Sequence, residues 1–201
     1  MRAQALAVLV AAALLAAPGL ALGKGEDKNP ASSPATPPVS SAAFMDEALA
    51  LCTQAALHGG KAVSDGSFPG WTAAEDDGDN GPFYEVFSFE KTIDGLEDVT
   101  LWGTIEHYPG KVMGYCRFNA SDSEGHLLDF ADLAARPQLA GSTEEADSGH
   151  YGAWTVKAEG NAQAYAIAQL VDGDFQLEIN TLTDAAPTEP AASPEPAKTE
   201  E

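Results

Sequence analysis

Between residues 42 and 57 apolar positions recur every three or four residues. Met45, Leu49, Cys52 and Ala56 fall on one stripe, with Phe44, Ala48, Leu51 and Ala55 beside it. That spacing predicts an amphipathic helix. Ser41 is placed as its N-cap, Asp46 and Glu47 in the first turns near the positive end of the helix dipole, and His58-Gly59-Gly60 as its stop. From Ser64 to Pro82 Gly, Asp, Asn and Pro dominate and predict loop, within which Phe68-Pro69-Gly70-Trp71 is an apolar island packed onto the domain edge. The period then changes to two. Residues 82–90, 95–108 and 111–119 read as strands, with Val99, Leu101 and Ile105 on one face of the second and Val112, Cys116 and Phe118 on one face of the third. Pro109-Gly110 is the turn between them.

Helical spacing returns over 125–136, with Leu127, Phe130, Ala131 and Ala134 as its stripe and Pro137 as its end. A polar Gly, Ser, Thr and Glu loop follows. Residues 150–160, 162–171 and 175–183 then read as three more strands, turned at Gly160-Asn161 and Asp172-Gly173-Asp174. The predicted fold is α+β: an antiparallel sheet of about six strands with two helices on one face, in the order αβββαβββ. Two αβββ halves also fit a duplicated motif. Each half has a Trp in a strand, Trp102 and Trp154, with no further self-similarity between them.

The ends of the chain are of another kind. Arg2 precedes an apolar run from Ala5 to Ala17, broken by Pro18-Gly19 and followed by small residues at Ala21 and Gly23. Residues 1–23 are therefore expected to be a secretory signal peptide. The run is short for a bilayer span, which needs about 20 apolar residues, so no membrane span is expected after cleavage. Residues 24–41 and 184–201 each contain four Pro and few apolar side chains. They are expected to be a disordered Pro/Ser-rich linker and a disordered acidic Pro/Ala/Glu-rich tail, flanking a folded domain at 42–183.

Charge narrows the classes of function. The 201 residues carry 31 acids and 10 bases, a formal charge of −21. Residues 42–183 alone hold 24 acids and 6 bases, so the acidity belongs to the domain as well as to the ends. Clustered Lys and Arg, which nucleic acids and anionic lipid surfaces require, are missing. Export implies an oxidising compartment, periplasmic or extracellular, where an even Cys count reads as a disulfide. Cys52 lies on the helix stripe and Cys116 on the apolar strand face, so a bridge between them would clip helix to sheet.

Candidate chemistry is sparse. His107, His126 and His150 each sit at the end of a predicted element and are candidates for a metal or catalytic cluster at one end of the sheet; with His58 they form no His-x₃-His or His-Glu-x-x-His pattern. Glu75 to Gly81 invites a calcium reading through Asp76, Asp77 and Asp79. With Asp76 at position 1, Gly81 fits position 6, but Phe87 stands at position 12, where a bidentate Glu belongs. What is left is a solvated acidic loop or a weak divalent-cation site. Neither a Gly-x-Ser-x-Gly elbow nor a phosphate loop occurs, and no cofactor is implied. Trp102 and Tyr115 alternate with the core positions of their strands, so they look out from the face the helices leave uncovered. The expected function is a non-catalytic binding or interaction domain that takes a protein or small ligand through this aromatic face. The alternatives are an envelope hydrolase or metal-dependent enzyme built on the strand-end His with carboxylates, and a structural acidic envelope component.

Overall fold

The structure, a computed structural model, describes residues 40–74, 81, 84–146 and 148–185. The expected signal peptide, almost all of both expected tails, and Asp76, Asp77 and Asp79 lie outside these residues. The described chain is a mostly antiparallel sheet with few helices. Helix α1 spans Ser41–His58, α2 Lys61–Ser64 and α3 Phe130–Ala134. The strands are β1 Thr72–Ala73, β2 Tyr84–Glu90, β3 Glu97–Tyr108, β4 Lys111–Ser121, β5 Leu139–Ala146, β6 Gly149–Val156, β7 Gln163–Val171 and β8 Asp174–Asp184.

The sheet has eight strands rather than about six, in the order β1-β2-β3-β4-β8-β7-β6-β5. The two additional strands are its edges. β1 is two residues long. β5 occupies what reads as a polar loop, because seven of its eight residues are exposed and no apolar alternation marks it. The element order is thus two α-led meanders of four strands each, meeting at β4 and β8. Trp102 and Trp154 do not correspond within them: Trp102 is exposed on β3, whereas Trp154 is buried on β6.

Helix α1 forms where the periodicity predicts, with Phe44, Met45, Ala48, Leu49, Leu51, Cys52, Ala55 and Ala56 all buried. Its cap is Ser40 rather than Ser41: the Ser40 hydroxyl accepts the Ala43 N–H at 3.3 Å. The Ser41 hydroxyl instead accepts the Asp129 N–H at 2.8 Å and ties the helix to the loop before α3. Asp46 and Glu47 serve tertiary contacts rather than the first turn. Asp46 pairs with Arg136 at 2.7 Å, and Glu47 accepts from Lys91 and from the Trp71 indole N–H at 3.1 Å. The Phe68–Trp71 island does pack against the core, with the Trp71 ring 5.6 Å from that of Phe118.

The second helix is five residues rather than twelve. Its predicted first turns are used by Asp122, a buried carboxylate at the end of β4. Asp122 accepts backbone N–H groups from Gly125, Leu127 and Leu128 at 2.7–3.0 Å. Those donors form a tight loop instead of a helix, and α3 begins only at the Asp129 cap, which accepts the Ala131 N–H. Phe130 and Leu133 are buried, whereas Ala131 of the predicted stripe is exposed. Burial pushes the Asp122 pKa up. The N–H groups of Leu127, Leu128, His126 and Gly125 outweigh that and hold it below the usual carboxylate value. A depressed folded-state pKa adds stability above the unfolded value of about 3.9 and loses it as pH falls through the folded value. Asp122→Asn is therefore expected to lower the melting temperature at pH 7 and to flatten its decline below about pH 4. Thermal melts from neutral to acid pH check this; parallel curves for the two proteins would contradict it.

Helix α1 crosses the middle of the sheet, against β3, β4 and β8. Three features form the seam. Cys52 and Cys116 are joined by a disulfide. The Thr181 hydroxyl on β8 donates to the Ala56 carbonyl at 2.7 Å. Beneath that carbonyl lies Gly114, where a Cβ would stand 1.6 Å from the Ala56 oxygen. The aromatic core gathers beside the seam, with Phe118 in edge contact with Phe44, Trp71 and Phe175. At the far hairpin, Asp172 and Gly173 have φ of 52° and 89°, the left-handed pair of a two-residue turn that follows sheet twist. The turn expected at Gly160-Asn161 is longer, because β6 ends at Val156 and β7 begins at Gln163. Among the described residues no helix is long and apolar enough to cross a membrane.

Candidate functional site

Strand pairing sets rows of side chains across the sheet, and successive rows point to opposite faces. Leu101, Phe118, Leu177 and Ala168 are in register and buried on the helix side. The next row points away from the helices: Trp102, Arg117, Glu178, Ile167, Ala153 and Ser142. Two rows further, Thr104, Tyr115, Asn180 and Tyr165 share that outward face. Trp102 is 42% exposed, Met113 48%, Tyr165 51% and Ile167 55%. These are large apolar side chains on a face that no helix covers.

The aromatic pair is held in place. The Trp102 and Tyr115 rings meet edge to face, with centroids 5.4 Å apart. Arg117 Nε donates to the Tyr115 hydroxyl at 3.0 Å, while Nε and Nη2 donate to Glu178 Oε1 at 3.0 and 2.7 Å. Gln176 Nε2 donates to the same Glu178 oxygen at 2.6 Å, and Gln169 Nε2 to Gln176 Oε1 at 3.1 Å. Partial burial, and then Glu178, push the Tyr115 pKa up, against the opposing pull of Arg117. The hydrogen bonds that Arg117 donates to Glu178 push its own pKa up. An ion pair this exposed contributes less than about 1 kcal/mol to stability. Its effect is to order the side chains around the two rings.

The candidate His residues are not gathered. His107 lies by the β3–β4 turn, in register with Val112. His150 lies toward the other end of the sheet, in a row that runs through Leu170 and Phe175 to Ala120. Eight residues of strand separate Val112 from Ala120, about 26 Å, so His107 and His150 share no metal. His150 is stacked on Phe130, with centroids 5.8 Å apart, and His126 lies in the Asp122 loop. Among the described residues no group of three or more His, Cys, Asp and Glu side chains is arranged to hold a metal ion.

Alternation in the sequence places Trp102 and Tyr115 on the outward face, whereas the Arg117–Glu178–Gln176–Gln169 chain, Tyr165 and Ile167 are added to it by the structure. A signal for the last two was present. In β7 Ala164, Ala166 and Ala168 alternate with Tyr165, Ile167 and Gln169, and the alanines are the buried set. Compared with protein-family models, with curated proteins and with solved structures, the chain finds no match.

Proposed function

We propose that this chain is an exported, non-catalytic binding domain that takes a protein partner on its outward sheet face, centred on Trp102 and Tyr115. The observation that carries the reading is the one-sided cover of the sheet. The helices bury one face, and the other presents Trp102, Met113, Tyr165 and Ile167 to solvent around an ordered Arg117. Trp, Tyr, Met and Arg are the side chains enriched where proteins meet, and Trp, Tyr and Arg supply most of the anchoring residues. Export is supported by the leader-like pattern of residues 1–23. It is supported again by the pairing of the chain's only two cysteines, since such bridges persist in oxidising compartments.

The test is retention of envelope or culture-fluid proteins on the immobilised mature domain, compared with a Trp102→Ala/Tyr115→Ala variant. Loss of an anchoring aromatic costs about 2 kcal/mol or more, roughly thirtyfold in affinity. The double variant is therefore expected to lose its specific partner while keeping its fold by circular dichroism. Equal retention by the two proteins would remove the sheet face from the account.

A further inference from the structure

A second feature of the outward face lies on the β5–β8 half, apart from the aromatic pair on β3 and β4. It is a depression of about 370 Å³, within the range of small-ligand clefts, about 300–1,000 Å³. Its floor is apolar, formed by Ile167 on β7 and Ala153 on β6. A carboxylate stands at each side: Glu178 on β8 and Glu144 on the edge strand β5. Three strand spacings, about 14 Å of backbone, separate those two strands. The depression's lining contains no Lys or Arg.

The two carboxylates retain acceptor capacity. Both Arg117 donors and Gln176 go to Glu178 Oε1, and the Tyr115 hydroxyl also bonds this carboxylate, which leaves Oε2 with acceptor capacity. The Glu144 carboxylate has neither a hydrogen bond nor an ion pair among the described residues, although its backbone is paired with Tyr151. The order carboxylate, apolar floor, carboxylate is complementary to a molecule with the reverse pattern, a methylene chain carrying an ammonium group toward each end. The surrounding domain carries 24 acids against 6 bases and repels anions.

The geometry points to this depression as a binding site for a linear alkyl polyamine. The methylene chain lies over Ile167 and Ala153, one ammonium group donates to Glu144, and another donates to Glu178 Oε2. The site borders the proposed partner-binding face and shares Ile167 and Glu178 with it, but Glu144 belongs to the depression alone, so Glu144→Gln tests the polyamine site without touching Trp102 or Tyr115.

The probe is spermidine, titrated calorimetrically into the mature domain at about 150 mM salt, where diffuse attraction is screened beyond about 8 Å. One saturable equivalent is expected. Glu144→Gln, which keeps the shape and removes the charge, should weaken it at least tenfold, the usual worth of a charge-assisted hydrogen bond. Butylamine, with a single ammonium group, should bind at least tenfold more weakly than spermidine. Glu124→Gln, an exposed acid in the loop after β4, should leave the titration unchanged. Non-saturating uptake, or an equal loss in Glu124→Gln and Glu144→Gln, would mean attraction to the acidic body as a whole and would overturn the site. So would the absence of measurable heat together with unchanged amide chemical shifts at Ala153 and Ile167.

Discussion

Cys52→Ala is expected to destabilise the mature domain by about 2–5 kcal/mol. The bridge joins residues 64 apart in sequence, and the chain-entropy model values a loop of that length at roughly 4 kcal/mol. That is a large share of a stability that is typically about 5–15 kcal/mol. Its location adds to the effect, since Cys52 lies in the middle of α1 and Cys116 in a central strand. Without the bridge the sheet keeps its ladder hydrogen bonds, whereas α1 keeps its packing, the Thr181 bond and the contacts of Ser41, Asp46 and Glu47 near its N-terminal end. Amides of 41–58 should therefore lose hydrogen-exchange protection before those of β4 and β8. Denaturant unfolding gives the size of the effect and exchange gives its order. Thiol titration of the denatured, unreduced wild type should find no free thiol. Loss of protection in the sheet before the helix would mean that the bridge does not act as a clip.

Gly114→Ala should cost at least about 3 kcal/mol, the upper end of the usual range for overpacking. The added methyl would meet the Ala56 carbonyl oxygen, a backbone atom that cannot rotate aside, and would press on the Thr181 hydroxyl at 2.7 Å. Relief requires lifting the last turn of α1, which breaks the bond from Thr181 to Ala56. Met113→Ala is the control. Its side chain is on the opposite face and 48% exposed, so its cost should stay within about 1 kcal/mol. If the two substitutions cost the same, helix and sheet do not approach as closely as described. Gly114 and Cys116 serve one seam, so Gly114→Ala and Cys52→Ala should combine non-additively.

The parts of the fold legible in the sequence are those with one face buried and one wet. α1 and the strands of 82–119 and 150–183 announce themselves because burial of alternate or every third to fourth residue leaves an apolar period. β5 has no such period because neither of its faces is covered, so Leu139–Ala146 looks like loop although its backbone pairs fully with β6. The second helix is shorter than its spacing predicts for a different reason. Leu127, Leu128 and Phe130 have helical spacing, but Asp122 lies just before them and its carboxylate takes the N–H groups a helix would need. That competition is tertiary in effect and invisible to periodicity. In the candidate site, Trp102 and Tyr115 were legible by alternation against Leu101 and Cys116. Tyr165 and Ile167 were not, because large apolar residues read as core, whereas here the close-packed positions of β7 are alanines. The Arg117–Glu178 contact joins residues 61 apart, a strand pairing that no local pattern encodes.

The central claim is that the outward sheet face is the surface this domain uses. Hydroxyl-radical footprinting tests it most directly, because Trp, Met and Tyr side chains react readily when solvent reaches them and the three Trp report separate environments. In the free domain Trp102, Met113 and Tyr165 should oxidise quickly and Trp154 slowly, in line with their exposure. In envelope extract the first three should become protected together, while exposed residues remote from the sheet face, such as His126, keep their reactivity. Protection confined to the helix side, or unchanged oxidation of Trp102 in extract that the domain measurably retains partners from, would contradict the account.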